Sequence, residues 1–336
     1  MSILPAFENR TAGLRPLFED PAVTEIAING PGLAWAGRQG KRFMEPVTLP
    51  ELSMSTLTDI ADQVAHVSDQ TIDVARPLLA ASIPAELTGQ QDRDFRIQII
   101  LPPAVPSNTV SITIRKPSVL DLDLPYYIGS GAFDHVNEPL PDSEDTDRQL
   151  RVLYQEKNWP EFLACAVRAK KNILISAATN TGKTAFINML LKLIPLDERI
   201  VTLEDAREIR ALQKNVVNLL YSRGNQGVSK VTPVDLMEAG LRMSPDRLIA
   251  GELRGAEAYI ALEMLNSGHD GFMSTIHSKS PEHMWDRLAQ MVMRFGSTMQ
   301  RGEIIDYARG LIDVVVQMHR YDDGLRGISR IIYEHH

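Results

Sequence analysis

The stretch ILISAATNTGKT, from Ile173 to Thr184, constrains the fold of this chain more than any other segment. It matches the phosphate-binding pattern G-x-x-x-x-G-K-[ST] at every fixed place except the first, where Ala177 stands instead of glycine. The loop follows an apolar run and opens a helical stretch, which is the context that the pattern requires. The sequence therefore predicts a phosphate loop between a strand and a helix of an α/β fold.

The residue types of this loop match the chemistry of a polyphosphate. Successive backbone N–H groups of such a loop point into one concavity, and the helix that follows adds partial positive charge. Gly182 lets the backbone approach a phosphate, Lys183 is expected to reach the β- and γ-phosphates, and Thr184 is expected to hold Mg²⁺. The predicted ATP-binding residues of the loop are Ala178, Thr179, Asn180, Thr181, Gly182, Lys183 and Thr184.

Ala177 raises the question of whether the loop still works. An alanine fits the first position if its φ is negative, at a cost of at most about 1 kcal/mol. Losing Gly182 or Lys183 would do more harm, because it would block the approach of phosphate or remove the charge. We therefore predict a hydrolysing enzyme, with a non-hydrolysing ATP-dependent scaffold as the alternative that Ala177 leaves open.

The chain from about Arg148 onward alternates apolar strands with helical stretches. The predicted strands are NILIS, RIVTLED, RLIAGE, GFMSTIH and DVVVQMH, and stretches such as GAEAYIALEMLNS carry apolar residues at helical spacing between them. Such alternation predicts a mostly parallel sheet with helices on both faces. Residues 148–336 are thus predicted to form one α/β domain.

The first part of the chain has a different texture. VTEIAIN, DFRIQIIL and TVSITIRK are predicted strands, and the last two are expected to pair as a hairpin with Arg96 and Arg115 on the polar faces. Residues 1–116 are predicted to form a smaller α+β domain. Residues 117–147 are rich in proline, glycine and aspartate, which predicts an interdomain linker that carries at most a short helix.

Composition excludes several classes of protein. The formal net charge of -8 argues against a general nucleic-acid binder, so nucleic acid is not expected as a direct partner. The single cysteine, Cys165, excludes an internal disulfide and a four-thiolate zinc site. The start of the chain does not read as a signal peptide, and no apolar run approaches the roughly 18 residues of a membrane span. A cytoplasmic location with only peripheral membrane contact is expected.

Two groups of carboxylates follow predicted strands. Glu252 ends RLIAGE at the edge of the sheet where ligands bind, so it could polarise the attacking water or hold Mg²⁺ through a water. The alternative is a solvated acid paired with Arg254. Glu204, Asp205 and Glu208 end another strand, and clustered carboxylates suit Mg²⁺. Their alternative is an acidic turn that caps a helix, because aspartate is a good N-cap.

His269 and His277 flank the predicted strand in NSGHDGFMSTIHS. Two histidines could ligate a metal, but no third ligand stands at a telling spacing, so a zinc site is not expected. We expect instead that one imidazole hydrogen-bonds a phosphate oxygen and senses the γ-phosphate.

Taken in order, AATNTGKT, TLEDAREI, LIAGELRG and SGHDGFMSTIHS resemble the four motifs of the secretion-superfamily traffic ATPases: the Walker A loop, Asp box, Walker B strand and His box. DPAVTEIAINGPGLAW and VSITIRKPS are similar to the N-terminal domain of the type IV secretion branch, which serves conjugation and effector export. The resemblance covers most of the chain, and the order of the four motifs makes it specific.

This resemblance implies a RecA-like C-terminal domain, a smaller N-terminal domain over the nucleotide, and a homo-hexameric ring at the inner face of the inner membrane. It implies partners among other inner-membrane secretion ATPases and membrane components. ATP and Mg²⁺ are the implied cofactors. By position it implies catalytic roles for Lys183, Glu204 and Glu252, Mg²⁺ contacts for Thr184, Glu204 and Asp205, and nucleotide contacts for Arg96, Arg115, His269 and His277.

Two further functions stay open at this stage. A motor of type II secretion or of pilus extension and retraction is the nearer one, but the type II branch usually carries a four-cysteine zinc site that one cysteine excludes. A nucleic-acid motor is the other, since RecA-like rings also drive helicases. The negative charge and the lack of an aromatic and basic groove argue against it.

Overall fold

The computed structural model describes residues 3–89, 93–117, 123–137, 143–223 and 227–334, and it contains two β-sheets. The first has six strands in the order β3-β2-β1-β6-β5-β4, and every neighbouring pair is antiparallel. Its strands are β1 (Val23–Gly30), β2 (Gly32–Arg38), β3 (Glu45–Leu49), β4 (Leu78–Ile83), β5 (Phe95–Ile100) and β6 (Ser111–Arg115). The predicted hairpin of β5 and β6 is confirmed, with Ile97 opposite Ile114.

The helices of the N-terminal part are α1 (Ile3–Arg10), α2 (Arg15–Glu19), α3 (Met54–Val67) and α4 (Ala85–Thr88). The longest of them, α3, begins after Ser53, whose side chain accepts a hydrogen bond from the N–H of Thr56. Leu57, Ile60 and Val64 recur at helical spacing and are buried in the core beneath the sheet. This sheet and its helices therefore share one apolar core.

The second sheet has seven strands in the order β13-β12-β7-β11-β10-β8-β9. All are parallel except β13, which pairs antiparallel with β12. The mostly parallel sheet that the sequence predicted is thus confirmed. Its strands are β7 (Ile173–Ala177), β8 (Ile200–Glu204), β9 (Val216–Leu220), β10 (Arg247–Leu253), β11 (Met273–His277), β12 (Val314–Arg320) and β13 (Arg326–Tyr333).

The helices that follow the linker are α6 (Ser143–Gln155), α7 (Trp159–Arg168), α8 (Lys183–Leu191), α9 (Pro233–Leu241), α10 (Glu257–Asn266), α11 (Pro281–Arg294) and α12 (Arg301–Leu311). The sequence patterns did not single out α7, α12, β9 or β13. Helix α12 buries only Ile304 and Ala308, so its apolar stripe is too thin to stand out. No described helix is long and apolar enough to cross a membrane.

One helix lies wholly within the described residues of the predicted linker: α5 (Leu124–Gly129), with Asp123 accepting a hydrogen bond from the N–H of Tyr126 at its start. None of the residues of α5 is buried. Helix α6 crosses the boundary expected between residues 147 and 148, because the acidic residues of SEDTD favour the start of a helix. The linker residues 118–122 and 138–142 lie outside the described residues.

The two sheets are joined by a buried guanidinium. Arg199 precedes β8 and is 1% exposed. Its Nη1 donates to Asn29 Oδ1 of β1 at 3.0 Å and also contacts Asn215, while its Nε donates to the carbonyl of Met243 at 2.9 Å. Burial lowers its pKa to about 10, so it keeps its charge at neutral pH. Both sheets therefore meet around one hydrogen-bonded cation.

Candidate functional site

The phosphate loop begins inside the sheet, which explains why an alanine fits there. Ala177 is the last residue of β7, lies opposite His277 of β11 and Met318 of β12, and is fully buried. It is not among the described residues with positive φ, so it meets the condition that the sequence analysis set. A glycine is not required at this position.

The positive φ values of the loop fall elsewhere. Asn180 has φ 58° and Gly182 has φ 93°. Asparagine is one of the few residues that adopt the left-handed conformation readily, and glycine adopts it at no steric cost. Thr181 Oγ1 donates to the carbonyl of Ala178 at 3.0 Å and closes the turn between them. Helix α8 starts directly after Gly182, so its amino end faces the loop.

Lys183 folds back onto this loop. Its Nζ donates to the carbonyl of Ala178 at 3.0 Å and to Nδ1 of His277 at 3.1 Å. Partial burial lowers the pKa of Lys183, and the nearby Glu252 carboxylate opposes that shift. Both acceptors are neutral, so a phosphate would offer this ammonium a stronger, charged partner.

Glu252 lies at the carboxyl edge of the sheet, as the sequence predicted. Its side chain is 11% exposed, its Oε2 is bound by Arg254, and His277 Nε2 is 3.4 Å away. Burial raises its pKa to about 7, while Lys183 and Arg223 act to lower it. The ion pair with Arg254 is the one that the alternative interpretation named, but this carboxylate is mostly buried rather than solvated.

Glu204 and Glu208, two carboxylates of the Asp box, make different contacts. Glu204 is buried, and its Oε1 accepts the N–H groups of Glu208 at 2.8 Å and Ile209 at 2.7 Å. Burial raises the pKa of Glu204. Thr184 Oγ1 donates to Glu208 Oε2 at 2.8 Å. Glu204 thus shapes the loop after β8, and Glu208 contacts the hydroxyl predicted to hold the cation.

The ion-pair partner of Asp205 is a residue that the sequence did not suggest. It forms an ion pair with Arg223, which follows β9 and lines the same cavity as Glu252. Arg287 of α11 also lowers the pKa of Glu252 and His277 through its charge. Arg223 lies outside the quoted motifs, and so does Arg287, and no fixed spacing relates either of them to the motifs.

The residues of the phosphate loop, Asp box and Walker B strand line one cavity of about 150 Å³. Glu204 Oε2 and Glu252 Oε1 are both buried without a hydrogen-bond partner in the described residues. Buried carboxylate oxygens of this kind fit a hard cation such as Mg²⁺, which prefers oxygen ligands. No group of three His, Cys, Asp or Glu in the described ranges is arranged to hold a metal alone. Substrate phosphates would complete its coordination, as is usual for Mg²⁺.

The fold of one chain separates the two predicted histidines. His277 is the last residue of β11 and lies beside the phosphate loop, whereas His269 precedes the same strand. At about 3.3 Å per residue, β11 spans roughly 13 Å between its amino and carboxyl ends. His269 instead contacts Ser267 Oγ at 3.0 Å through its Nδ1. The sequence expected one imidazole to sense phosphate, and only His277 is placed for it within the chain.

Arg96 and Arg115 also lie away from the loop of their own chain. They are directly opposite each other on β5 and β6, and both are exposed. With Lys116 and Ser244 they line a cavity of about 570 Å³. Ser244 precedes β10, at the amino edge of the parallel strands, whereas the phosphate loop lies at the carboxyl edge. These two arginines are therefore not brought to the phosphate loop within one chain.

A different arginine reaches the phosphate loop. A Cβ built on Gly182 would lie 3.5 Å from Cδ of Arg326, the first residue of β13. Arg326 is exposed and directly opposite Arg320 of β12. Like charges opposite each other in a sheet are unfavourable, and a bound anion would relieve that repulsion. Arg326 was not among the predicted site residues, because the sequence pattern did not predict β13.

Comparison with known proteins agrees with this geometry. The family described as "Type II/IV secretion system protein" matches residues 144–317. The type IV secretion system protein VirB11 of Bartonella quintana is 33% identical over 329 residues, which cover 94% of this chain and 89% of that protein. VirB11 of Brucella suis is 34% identical over 328 residues, covering 96% of this chain and 88% of the relative.

A solved structure extends the likeness to the whole fold. The crystal structure of the VirB11 ATPase from the Brucella suis type IV secretion system, in complex with sulphate, has a TM-score of 0.89. It is 33% identical and covers 99% of this chain and 95% of that one. The C-terminal sheet is thus the sheet of a RecA-like fold. The chain belongs to the type II/IV secretion family, as a type IV secretion traffic ATPase, a P-loop enzyme that binds and hydrolyses ATP.

Proposed function

We propose that this chain is a Mg²⁺-dependent motor that powers the assembly of a type IV secretion system or substrate transport through it. The observation that carries the proposal is the placement of Glu252, a mostly buried carboxylate between His277 and Arg254 in the cavity of the phosphate loop. A pure binding protein has no need of a water-activating acid there. A pKa of about 7 suits a general base at neutral pH.

The residues of the site divide into binding and activation. The loop N–H groups and Lys183 would bind the phosphates, with Lys183 leaving His277 for the β- and γ-oxygens. Glu252 would accept a proton from the attacking water, and His277 would hold that carboxylate in position. Arg254 supplies positive charge beside it, which offsets the negative charge of the reacting groups.

Mg²⁺ would lie between Thr184 and the acids of the same cavity. Thr184 Oγ1 donates a hydrogen bond to Glu208, so its lone pairs are free to coordinate a cation. The unpartnered Oε2 of Glu204 supports an electrostatic role for that residue. Asp205 is paired with Arg223, so it would contribute only if that ion pair opens. When bound, Mg²⁺ would neutralise charge on the phosphates.

A second copy of the chain is needed to complete the site as proposed. Arg96 and Arg115 form a like-charged cross-strand pair, which favours an anion between them. Because they lie away from their own phosphate loop, we propose that they contact the γ-phosphate bound to a neighbouring subunit, in a ring of six. His269 would likewise act across a subunit boundary. The ring would lie at the cytoplasmic face of the inner membrane, with other secretion ATPases and membrane components as partners.

We also propose the division into residues 1–116, 117–147 and 148–336 as the functional arrangement, with motion of the first part relative to the third driven by hydrolysis. Its support is that each sheet has one core formed by its own part of the chain alone, beside a third core to which both parts contribute. The exposed helix α5 between them supports a connecting role for the middle segment.

The test is phosphate release from the purified full chain with Mg²⁺-ATP, beside Lys183→Ala and Glu252→Gln. Matched controls are Lys192→Ala and Glu161→Gln, both exposed residues outside the cavity. We expect turnover in the wild type and in both controls. We expect a loss of at least 100-fold in Lys183→Ala and Glu252→Gln, with nucleotide binding retained in Glu252→Gln.

Equal turnover in all five proteins would point to a contaminating ATPase and overturn the site assignment. Sedimentation of the same samples tests the ring, because a chain that stays monomeric at all concentrations with ATP cannot supply Arg96 or Arg115 to a neighbour. Mixing Lys183→Ala with Arg115→Ala gives a sharper answer. Restored turnover in the mixture would support the shared site.

A further inference from the structure

A second cavity backs onto the loop that follows β8. Residues along this loop alternate between the two cavities: Asp205 and Glu208 line the one with the phosphate loop, whereas Arg207 and Arg210 line the other. This second space, the interdomain cavity, measures about 510 Å³ and is lined from both sheets, by Leu33, Trp35 and Thr109 on one side and Arg207, Arg210 and Lys214 on the other. We propose that the interdomain cavity binds a nucleotide, at a site separate from the phosphate loop.

Charge is the first argument. The side chains of Arg207, Arg210 and Lys214 are exposed, and none forms an ion pair or side-chain hydrogen bond with another described residue. No aspartate or glutamate is among the described residues that line the cavity. Three unpaired cations around one space raise the local concentration of a polyanion. Arginine in particular binds phosphate oxygens in a bidentate manner.

A buried amide is the second argument, and it favours a ligand with hydrogen-bond donors over a bare phosphate. Gln213 lines the cavity and is 5% exposed. Its Nε2 donates to the carbonyls of Ile194 and Pro195 at 3.0 and 3.3 Å, but its Oε1 has no partner in the described residues. Such an acceptor needs a donor, because an unsatisfied buried polar atom is costly. Ribose hydroxyls and base amino groups are donors, whereas a fully ionised phosphate offers acceptors alone.

The wall of the cavity is the third argument. Leu33 of β2 lines the cavity and is 56% exposed, and Trp35 of the same strand, 7% exposed, lines it as well. An apolar and aromatic wall next to cations suits the flat face of a base joined to phosphates. The volume also falls within the range of small-molecule sites, which occur preferentially between domains. Together the three features match a nucleotide better than an inorganic anion or an apolar ligand.

The position of this site gives its occupant a route to the hydrolysis site, a point that rests on the function proposed above. The N–H of Arg210 donates to Asn188 Oδ1 of α8 at 2.8 Å, and Glu208 accepts from Thr184 at the start of the same helix. A nucleotide that draws the side chains of Arg207 and Arg210 toward itself would move the backbone that carries Glu208. Occupancy of the interdomain cavity would therefore alter the contact between Glu208 and Thr184.

The test is calorimetric titration of the full chain with ADP, GDP and inorganic pyrophosphate. We expect two classes of ADP site per wild-type chain and one class in Lys183→Ala. In the Lys183→Ala, Arg210→Ala and Lys214→Ala triple variant the remaining affinity should fall at least tenfold. Pyrophosphate should bind the interdomain cavity of Lys183→Ala at least tenfold more weakly than one of the two nucleotides does.

The control replaces exposed cations elsewhere, in Lys183→Ala with Lys192→Ala and Arg294→Ala, and it should keep the second site. Circular dichroism and thermal melting establish that each variant is folded. A single nucleotide site in the wild type that Lys183→Ala removes would overturn the inference but leave the proposed function intact. Pyrophosphate binding as tight as the tighter-binding nucleotide would reduce the cavity to an anion site and also overturn the inference. Identical titrations of wild type and Lys183→Ala would instead count against the phosphate loop.

Discussion

The Nζ of Lys183 lies 3.1 Å from Nδ1 of His277. An ammonium group has only donors, so Nδ1 must be the acceptor and the imidazole must be neutral, with its proton on Nε2. Burial lowers the pKa of His277, and the charge of Lys183 lowers it further, which agrees with a neutral ring. The Nε2 then points its proton toward Glu252 Oε2, 3.4 Å away. One imidazole thus connects Lys183, the proposed phosphate ligand, to Glu252, the proposed general base.

Replacing His277 with alanine should separate binding from turnover. Lys183 loses a competing acceptor, so the affinity for ADP should stay the same or rise. Glu252 loses a positioning contact, so kcat should fall about tenfold. Equilibrium binding and steady-state kinetics measure the two effects, with His319→Ala, an exposed histidine at the end of β12, as the control. A weaker affinity at unchanged kcat would show that His277 binds nucleotide and does not position Glu252.

The raised pKa of Glu252 sets the pH dependence of activity. A base acts only when it is ionised, and Glu252 is ionised above about pH 7 and protonated below it. We therefore expect kcat/KM to be level above this pH and to fall tenfold for each pH unit below it. Initial rates between pH 5 and 9 at constant ionic strength measure the profile. A profile that stays level down to pH 5 would mean that no group with a pKa near 7 limits the rate.

The alanine at the start of the phosphate loop should be a benefit to the fold. Ala177 is fully buried and lies in extended backbone, where glycine is destabilising by about 0.5–1 kcal/mol and loses one buried methyl group. Ala177→Gly should therefore lower the free energy of unfolding by about 1–2 kcal/mol and leave kcat within twofold. Urea denaturation and phosphate release measure the two quantities. A large gain in kcat would show that the pattern's glycine has a role in catalysis.

Arg326 should contribute to nucleotide affinity from the far end of the chain. Its Cδ lies beside Gly182, and it faces Arg320 across the hairpin of β12 and β13. Arg326→Ala should weaken ADP binding about ten- to 100-fold, in line with the roughly 1.5–3 kcal/mol of one hydrogen bond to a charged group. The matched control is Arg330→Ala on the same strand, which pairs with Glu282 instead. Equal effects of both variants would indicate damage to the hairpin.

The seam, the buried contact around Arg199 between the two sheets, should depend on this cation more than on any other. Removing Arg199 should therefore lower the free energy of unfolding substantially. Arg199→Met leaves Asn29 Oδ1 and the carbonyl of Met243 without their buried donor. Breaking a buried charge network of this kind costs about 3–5 kcal/mol of unfolding free energy. Chemical denaturation measures it, beside Arg294→Met, an exposed arginine at the end of α11. Similar losses in the two variants would mean that the seam contributes little.

The sequence predicted the sheet and the loop because their signals are local. Strands such as β7 and β8 are continuous apolar runs, and the residues Gly182, Lys183 and Thr184 stand at fixed spacing. The apolar runs also placed the carboxyl ends of the predicted strands to within about one residue, so Glu252 could be assigned to the carboxyl edge. Short-range pattern was enough for everything that one strand and its next turn determine.

The remaining contacts depend on which strands become neighbours, and the sequence carries no local record of that. Arg223 reaches Asp205 because β9 lies beside β8, and Arg326 reaches Gly182 because β13 returns along β12. The two histidines show that residues close in the sequence can also be far apart in the fold. Eight positions apart in the sequence, His269 and His277 lie at opposite edges because β11 runs between them.

The seam also decides what counts as a folding unit. Ile100, the last residue of β5, and Ala104 and Val105 from the turn after it belong to the core that the C-terminal helices build. The N–H of Leu220 donates to the carbonyl of Ala104 at 2.8 Å. The C-terminal half would therefore leave an apolar surface open to water if it were produced alone. Heat should melt both sheets in one cooperative step, with a calorimetric enthalpy that belongs to the entire chain. Two sheets that are separate in topology should thus unfold as a single cooperative unit.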